Sequence, residues 1–354
     1  MAIEKTIMPP SEATEIAQAG FDSVHDILPM SKVFPMKSNE GLWVVDWTPV
    51  IPNQTTGRMH RRALDAEVGH TSSQTSTASA HTELIPLSGM DHITERDIAR
   101  HPNDKEYIRS KAEDGFIGLG RKAAVTIELD CIDALMNGKL SVKDSGINVE
   151  ADFQRPRNQH NQAPAGGKLW SDVTADVQTD VEEWVKVIRK NKGRIPHAVI
   201  TTTKVIDALR LNENIRRELA QVTNLDYASP KLTRQQVIGY LATLGLTDVR
   251  MIDEIYENLE LDNGFKMEVD TTTLIPDSTF VMFPSFNDPL LGFTADGPTA
   301  EGQDDEYGIN KTVNDGLVGV LLSHTAPANY DLWVNGTALP ILQEAVSTFK
   351  ANVL

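Results

Sequence analysis

The stretch of the chain that most resembles a chemical site is Gly115-Phe116-Ile117-Gly118-Leu119-Gly120-Arg121-Lys122. Glycine-rich loops bind phosphate where a strand turns into a helix and a Lys-Ser/Thr pair follows at fixed spacing. This stretch lacks that spacing, and it lies inside a helical apolar pattern. Because glycines on a helix face commonly allow a neighbouring backbone to approach, we interpret it as a packing surface rather than a phosphate site.

Histidines are the next candidates, and they recur at intervals of nine to eleven residues, at positions 60, 70, 81, 92 and 101. Zinc sites formed by local sequence use tighter pairs. Cys131 is the only cysteine, so neither an intramolecular disulfide nor a four-cysteine metal site is possible. No Gly-x-Ser-x-Gly or His-Glu-x-x-His motif occurs, and nothing singles out a catalytic carboxylate pair. We therefore predict a non-enzymatic protein with no catalytic, cofactor-binding or metal-binding residues.

One basic cluster occurs in a chain whose net charge is -17. So acidic a protein is a poor binder of nucleic-acid phosphates. Two interpretations of the cluster stay open: a solvated run of charge, or a contact with an acidic surface of another copy of the chain. The candidate intersubunit contacts are Arg58, His60, Arg61 and Arg62 on one side, and Asp304, Asp305 and Glu306 on the other.

Two segments near the N-terminus look unable to form a core alone. Residues 1–40 are interrupted by four prolines and are predicted to be an arm. After a strand at 42–47, residues 48–88 are predicted to be a long loop, with no apolar residue larger than alanine between Val68 and Leu84. Structureless loops longer than about 12–15 residues are uncommon in compact domains. The loop is therefore either a linker or a segment that becomes ordered on another molecule.

A long helix follows, predicted over residues 103–137. Pro102 and Asn103 set its start, and Asn137-Gly138 supplies its stop. Its length is about 50 Å at 1.5 Å per residue, which suits a strut along an elongated subunit. One apolar stripe recurs at three- and four-residue steps: Ile108, Ala112, Phe116, Leu119, Ala123, Ile127, Cys131 and Leu135.

The remainder combines helices with late strands. A helix is predicted from a Ser171 cap to Lys192, another after a Thr233–Gln236 capping box, and a hairpin around Asn263-Gly264. Further strands are expected at 279–283, 317–323, 330–334 and 345–353. No apolar run long enough for a membrane span or a signal core is present. The predicted fold class is α+β, with helices laid on mainly antiparallel sheets.

The order of these elements resembles the major capsid protein of tailed bacteriophages, in particular the lambda capsid protein E family. Similar segments span nearly the whole chain in the expected order. They are Thr82–Pro86, Ile93–Ile98, Ala123–Glu128, Ala134–Lys139, Trp170-Ser171, Ala175-Asp176, Trp184, the strand after Pro196, Ile275–Asp277, Gly292–Glu301 and Leu339–Leu342.

The resemblance implies an N-terminal arm (1–40), a strand and extended loop (41–88), a peripheral domain (89–165 and 300–340) and an axial domain (166–299 and 341–354). The peripheral domain would be built on the long helix, called the spine helix in this fold. Family members form hexamers and pentamers of an icosahedral shell around double-stranded DNA, which is not bound tightly or specifically. Scaffolding, portal and decoration proteins are the partners implied, and the location is the virion, after assembly in the host cytoplasm.

Two departures refine this expectation. Some relatives join subunits covalently through a loop lysine, but no lysine occurs here between Lys37 and Lys105, so we predict a non-covalent shell. The chain also lacks an additional N-terminal scaffolding domain, which predicts a separate scaffolding protein. An encapsulin-like bacterial compartment with the same fold is one alternative. A two-domain hydrolase, with the polar loop as its linker, is the alternative from another class.

Overall fold

The computed structural model describes residues 2–52, 79–144, 146–223, 231–263, 275–309 and 316–354. Its α-helices are α1 (Pro10–His25), α2 (Glu95–Arg100), α3 (Lys105–Asn137), α4 (Val177–Lys190), α5 (Thr203–Leu209), α6 (Glu213–Thr223), α7 (Arg234–Thr243), α8 (Ile252–Asn263) and α9 (Ala300–Gln303). Its strands are β1 (Ala2–Ile3), β2 (Met36–Ser38), β3 (Val44–Trp47), β4 (Ala80–Glu83), β5 (Ile85–Ile93), β6 (Lys139–Asp144), β7 (Ile147–Asp152), β8 (Ala198–Thr201), β9 (Asp248–Met251), β10 (Thr279–Phe283), β11 (Phe293–Asp296), β12 (Val318–Thr325), β13 (Ala328–Ile341) and β14 (Phe349–Asn352). Most strand pairs are antiparallel, and the predicted α+β class is confirmed. None of the described helices is both long and apolar enough to cross a membrane.

The larger sheet has six strands, and β13 runs through its centre. The order is β1-β12-β13-β11-β2, with β5 on the other side of β13. Residue Trp333 of β13 lies opposite both Val320 of β12 and Met90 of β5. Helix α3 packs against β13 and β5, so its apolar stripe and the sheet together enclose the main core.

The spine helix is present with 33 residues; it starts two residues later than predicted and ends at the predicted residue, Asn137. Asp104, rather than Asn103, is the N-cap, because its carboxylate accepts a hydrogen bond from the backbone N–H of Tyr107 at 3.0 Å. Gly138 ends the helix in the left-handed conformation, with φ of 65°. The predicted stop is therefore confirmed, and the start was misassigned to the neighbouring residue.

A second, four-stranded sheet has the order β14-β10-β8-β9. Its core is rich in aromatic side chains; the ring centroids of Trp184 and Phe349 lie 5.4 Å apart. Helix α4 supplies Trp184, but it begins at Val177 rather than after Ser171. Asp176 is its N-cap, accepting from the backbone N–H of Thr179 at 3.1 Å.

The first 40 residues, which the sequence predicts to be an arm, pair and pack with other elements of the chain where the structure describes them. Strand β1 pairs with β12, β2 pairs with β11, and α1 packs against both α3 and β12. Pro10 starts α1 instead of interrupting it, because a proline in the first helical turn loses no backbone hydrogen bond. The residues that face the core are small or apolar at helical spacing: Ala13, Ala17, Gly20, Phe21 and Val24.

The end of the predicted extended loop is also folded onto the chain. Strand β4 pairs with β3, and β5 pairs along β13 with nine residue partners from Tyr330 to Ala338. Backbone bonding to β13 orders a segment whose side chains are largely exposed, which is why side-chain patterning missed it. The part of the loop at 53–78 lies outside the described residues.

Two further expectations need correction. Residues 252–263 form α8 rather than the first strand of a hairpin, since Ile252, Tyr256 and Leu259 repeat at helical spacing and pack into the core. The second predicted strand, 265–269, lies outside the described residues. Strand β11, which the sequence assigned to the axial segment, lies in the larger sheet beside β13. The division into arm, loop, peripheral domain and axial domain otherwise stays a prediction.

Candidate functional site

The predicted intersubunit residues fall in two places. Arg58, His60, Arg61 and Arg62 lie outside the described residues, so their pairing stays a prediction. Asp304, Asp305 and Glu306 follow α9 in a turn, and all three are exposed. The Asp304 carboxylate accepts from the backbone N–H of Glu306 at 2.9 Å, and Lys5 Nζ donates to the Glu306 carbonyl oxygen at 2.5 Å. The acidic side chains thus lie on the surface, and Lys5 contacts the backbone of their turn.

The glycine-rich stretch lies in the interior of α3 and provides a close helix contact. A Cβ at Gly120 would overlap the carbonyl oxygen of Ala17 in α1 and approach the backbone nitrogen of Phe21 to 2.8 Å. A Cβ at Gly20 would lie 2.6 Å from the carbonyl oxygen of Ile117. The two helices therefore touch backbone to backbone, and the packing interpretation fits this geometry.

Of the five histidines considered above, the structure describes His81, His92 and His101, and each of these three contacts a different residue. His81 bonds to Asp46 across the β3–β4 pair, His92 Nδ1 lies 3.9 Å from the Asp331 carboxylate, and the ring of His101 stacks on Tyr107 with centroids 3.7 Å apart. Among the residues that the structure describes, no group of three potential ligands could hold a metal ion. His60 and His70 lie outside those residues.

A buried carboxyl group, which sequence reasoning missed, lies in the C-terminal third of the spine helix. Glu128 is 1% exposed, and its Oε1 accepts from the backbone N–H of Met30 at 3.0 Å and from the Tyr256 hydroxyl at 2.6 Å. Burial raises the pKa of Glu128 to about 7, although the two hydrogen bonds act in the opposite direction. In the sequence, the one sign of this site is an acidic residue on the face of the spine helix that is otherwise apolar.

Cys131, one turn further along α3, is buried as predicted. Its Sγ lies 3.5 Å from the hydroxyl oxygen of Thr294. Burial, together with the nearby charge of Glu128, raises the pKa of the thiol well above its usual range. A thiol in this state is a weak nucleophile, so its role is packing.

The C-terminal end of the spine helix is closed by a second buried charge, Arg155. Its guanidinium donates to the carbonyl oxygens of Leu135 and Met136 at 2.5 and 3.1 Å, and to the Thr348 hydroxyl at 2.8 Å. A cation at this position satisfies helix carbonyls that have no partner within the helix. Burial lowers the pKa of Arg155 to about 9. The contact joins the C-terminal end of the spine helix to Thr348, directly before strand β14 of the second sheet.

Arg194 forms a third buried contact, between α4 and the C-terminal segment. Its guanidinium bonds to both carboxylate oxygens of Glu344, which is fully buried, and to the Asp288 carboxylate at 2.7 Å. The backbone N–H of Arg194 donates to the Ser347 hydroxyl at 2.8 Å, and that hydroxyl bonds to Glu344. These groups join the segment that leads into β8 to the connections between β10 and β11 and between β13 and β14.

An exposed apolar strip begins the segment that leads into the predicted loop. Leu42, Trp43 and Val44 are 61%, 44% and 42% exposed. Large apolar side chains that are adjacent and exposed are typical of contact surfaces between proteins. The strip and the acidic turn at 304–306 are the described surfaces best suited to contact a neighbouring molecule.

Two solved structures of phage or prophage proteins share this fold. A phage-related protein from Bordetella bronchiseptica RB50 is 12% identical, with a TM-score of 0.53 over 99% of this chain and 97% of that one. A prophage capsid protein from E. coli CFT073 is 14% identical, with a TM-score of 0.55 over 92% of this chain and 93% of that one. No curated protein matches the chain significantly. The fold is therefore that of the tailed-phage capsid proteins, as predicted.

The family is established by sequence. The family model described as phage major capsid protein E matches residues 90–306, more than half of the chain. The chain belongs to this family, and it is a major capsid protein of a tailed bacteriophage. The encapsulin and hydrolase alternatives are accordingly set aside in favour of the viral shell.

Proposed function

We propose that the chain assembles as hexamers and pentamers of a closed icosahedral shell that encloses double-stranded DNA. The observation that carries this proposal is the family match over residues 90–306, which includes the spine helix, most of the second sheet and the acidic turn. The role is structural and non-enzymatic. Assembly takes place in the host cytoplasm with a separate scaffolding protein and a portal. A decoration protein braces the shell. The finished shell is the virion capsid.

We further propose that the part of the predicted loop between β3 and β4 lies over a neighbouring subunit. Support comes from the exposed Leu42, Trp43 and Val44, because contact with another molecule would bury their apolar surface. The basic residues Arg58, His60, Arg61 and Arg62 would contact the Asp304–Glu306 turn of that neighbour. Closed symmetry repeats each such contact many times, so a modest pairwise attraction is enough to hold a shell.

Charge supports the proposal that DNA is enclosed without being held tightly. With a net charge of -17, the chain as a whole lacks the excess of Lys and Arg that displaces counterions from a duplex. Packaged DNA would then leave the shell without first breaking many ionic contacts. Such a shell encloses the genome without making sequence-specific contacts with it.

Negative-stain electron microscopy of the purified chain at high concentration tests the proposed assembly. We expect closed shells or, without scaffolding protein, open sheets and irregular polymers built from the same contacts. Denaturing gels of these particles should show only monomer-sized bands, because the predicted loop carries no lysine. A compact monomer at every concentration would contradict assembly, and ladders of covalent oligomers would contradict the non-covalent shell.

Reversing the loop charges tests the proposed ionic contact. The double variant Arg61→Glu and Arg62→Glu should lower the yield of particles by at least about tenfold, because like charges now face each other across the interface. Circular dichroism of the monomer should be unchanged. A quadruple variant that adds Asp304→Arg and Glu306→Arg should restore the yield. Normal yield in the double variant, or no rescue in the quadruple variant, would reject this pairing.

A further inference from the structure

The buried carboxyl of Glu128 joins three parts of the chain that are distant in sequence. Met30, whose N–H it accepts, lies in a short 3-10 helix at Pro29–Lys32; Tyr256, whose hydroxyl it accepts, lies in α8; and Glu128 itself is in α3. Helix α8 also contacts α5 and β9. A single oxygen atom therefore links the N-terminal segment and the second-sheet layer to the spine helix.

The groups that face Glu128 are few and none is basic. Tyr256 faces it from α8, Cys131 faces it from its own helix, and the N-terminal segment contributes only a backbone N–H. Among the described residues, no lysine, arginine or histidine influences its charge. An ionised carboxylate without a cation is unfavourable in such a site, whereas a neutral carboxyl is accommodated.

We propose that Glu128 is a proton-controlled latch, which holds α8 and the N-terminal segment against the spine helix while it is protonated and loosens α8 when it ionises. The inference does not depend on shell assembly. Opening the site allows water to reach the carboxylate and remove the cost of burying its charge. The two hydrogen-bond donors then exchange their partner for solvent, and α8 loses its tie to α3.

The pH range follows from the direction of the shift. Burial raises the pKa from 4.5 to about 7 in the folded protein. Below pH 4.5 the carboxyl is neutral in both closed and open forms, so its stabilising effect is fully present. As the pH rises, the open form ionises first, and the stabilisation is lost until the pH passes about 7. Opening of α8 should therefore increase between about pH 5 and 7 and level off above that range.

Hydrogen exchange of the segment 252–259 in the full chain tests the latch. After correction for intrinsic exchange rates, we expect the opening constant of wild-type protein to rise at least about tenfold between pH 5 and pH 8. The isosteric variant Glu128→Gln cannot ionise, so its profile should be flat. Parallel profiles for the two proteins would overturn the proposal.

Two further variants keep the test decisive. Asp180→Asn changes another buried carboxyl, bonded at 2.8 Å to Trp170 Nε1 in the second core, and it should leave the profile of 252–259 as in wild type. Tyr256→Phe removes one donor and raises the pKa of Glu128 further, so the rise should continue to higher pH before it levels off. That variant decides the matter if Glu128→Gln fails to fold; an unshifted plateau would overturn the latch.

Discussion

Replacing Gly120 by alanine is expected to lower the free energy of unfolding by about 3 kcal/mol, the upper range for inserting atoms into a packed core. The added methyl group would overlap the Ala17 carbonyl oxygen and crowd the backbone nitrogen of Phe21. Backbone atoms of a helix cannot rotate away as a side chain does. Helix α1 must therefore shift from α3 as a whole, and the contacts of Ala13, Ala17 and Phe21 weaken together.

Gly118→Ala is the matched control, two residues away in the same helix. No atom lies within 4 Å of a Cβ built there, so the variant should gain up to about 1 kcal/mol from helix propensity alone. Chemical denaturation of the two variants, followed by circular dichroism, measures both effects. Changes of the same sign and size would show that the α1–α3 contact is not as close as the structure has it.

Local signals predicted the elements whose ends and faces are set by their own residues. The 33-residue spine helix, its Gly138 stop, the Thr233–Gln236 capping box and the 279–283 strand all belong to this class. Each depends on side chains within a few positions of each other, or on a sustained period of 3.6 or 2 residues. The resemblance to capsid proteins depended on the order of such elements, which is why it could be recognised from sequence.

What the sequence could not provide are contacts between distant residues. Glu128 with Tyr256, Arg155 with Leu135, and Arg194 with Glu344 are separated by 128, 20 and 150 positions. A buried ionisable residue has no local pattern of its own, since its environment is created by other segments. The same applies to β5, which is ordered by backbone bonds to β13.

Each of these three contacts lies where two different segments of the chain meet. Glu128 lies in the C-terminal third of the spine helix, Arg155 contacts the C-terminal end of that helix, and Arg194 joins the segment after α4 to Glu344. Buried polar contacts depend on geometry, so they fix one arrangement of neighbouring segments where apolar packing tolerates several. In a shell protein such fixed joins would keep the subunit shape uniform from copy to copy.

Replacing Arg194 by methionine is expected to cost about 3–5 kcal/mol of stability, the range for removing one partner of a buried ion pair. Methionine keeps much of the side-chain volume, so the loss is chiefly electrostatic. Glu344 would remain fully buried with only the Ser347 hydroxyl as a partner, and Asp288 would lose its 2.7 Å contact. Urea denaturation of the unassembled protein at neutral pH measures the loss.

The surface pair of Lys186 and Glu183 provides the comparison. Both side chains are about half exposed or more, so Lys186→Met should leave the urea midpoint nearly unchanged. The double variant Arg194→Met and Glu344→Met removes the stranded charge, and it should be more stable than the sum of its single variants by at least about 2 kcal/mol. If the stability losses of the two single variants simply add up in the double variant, the two side chains do not interact, and the buried ion pair is rejected.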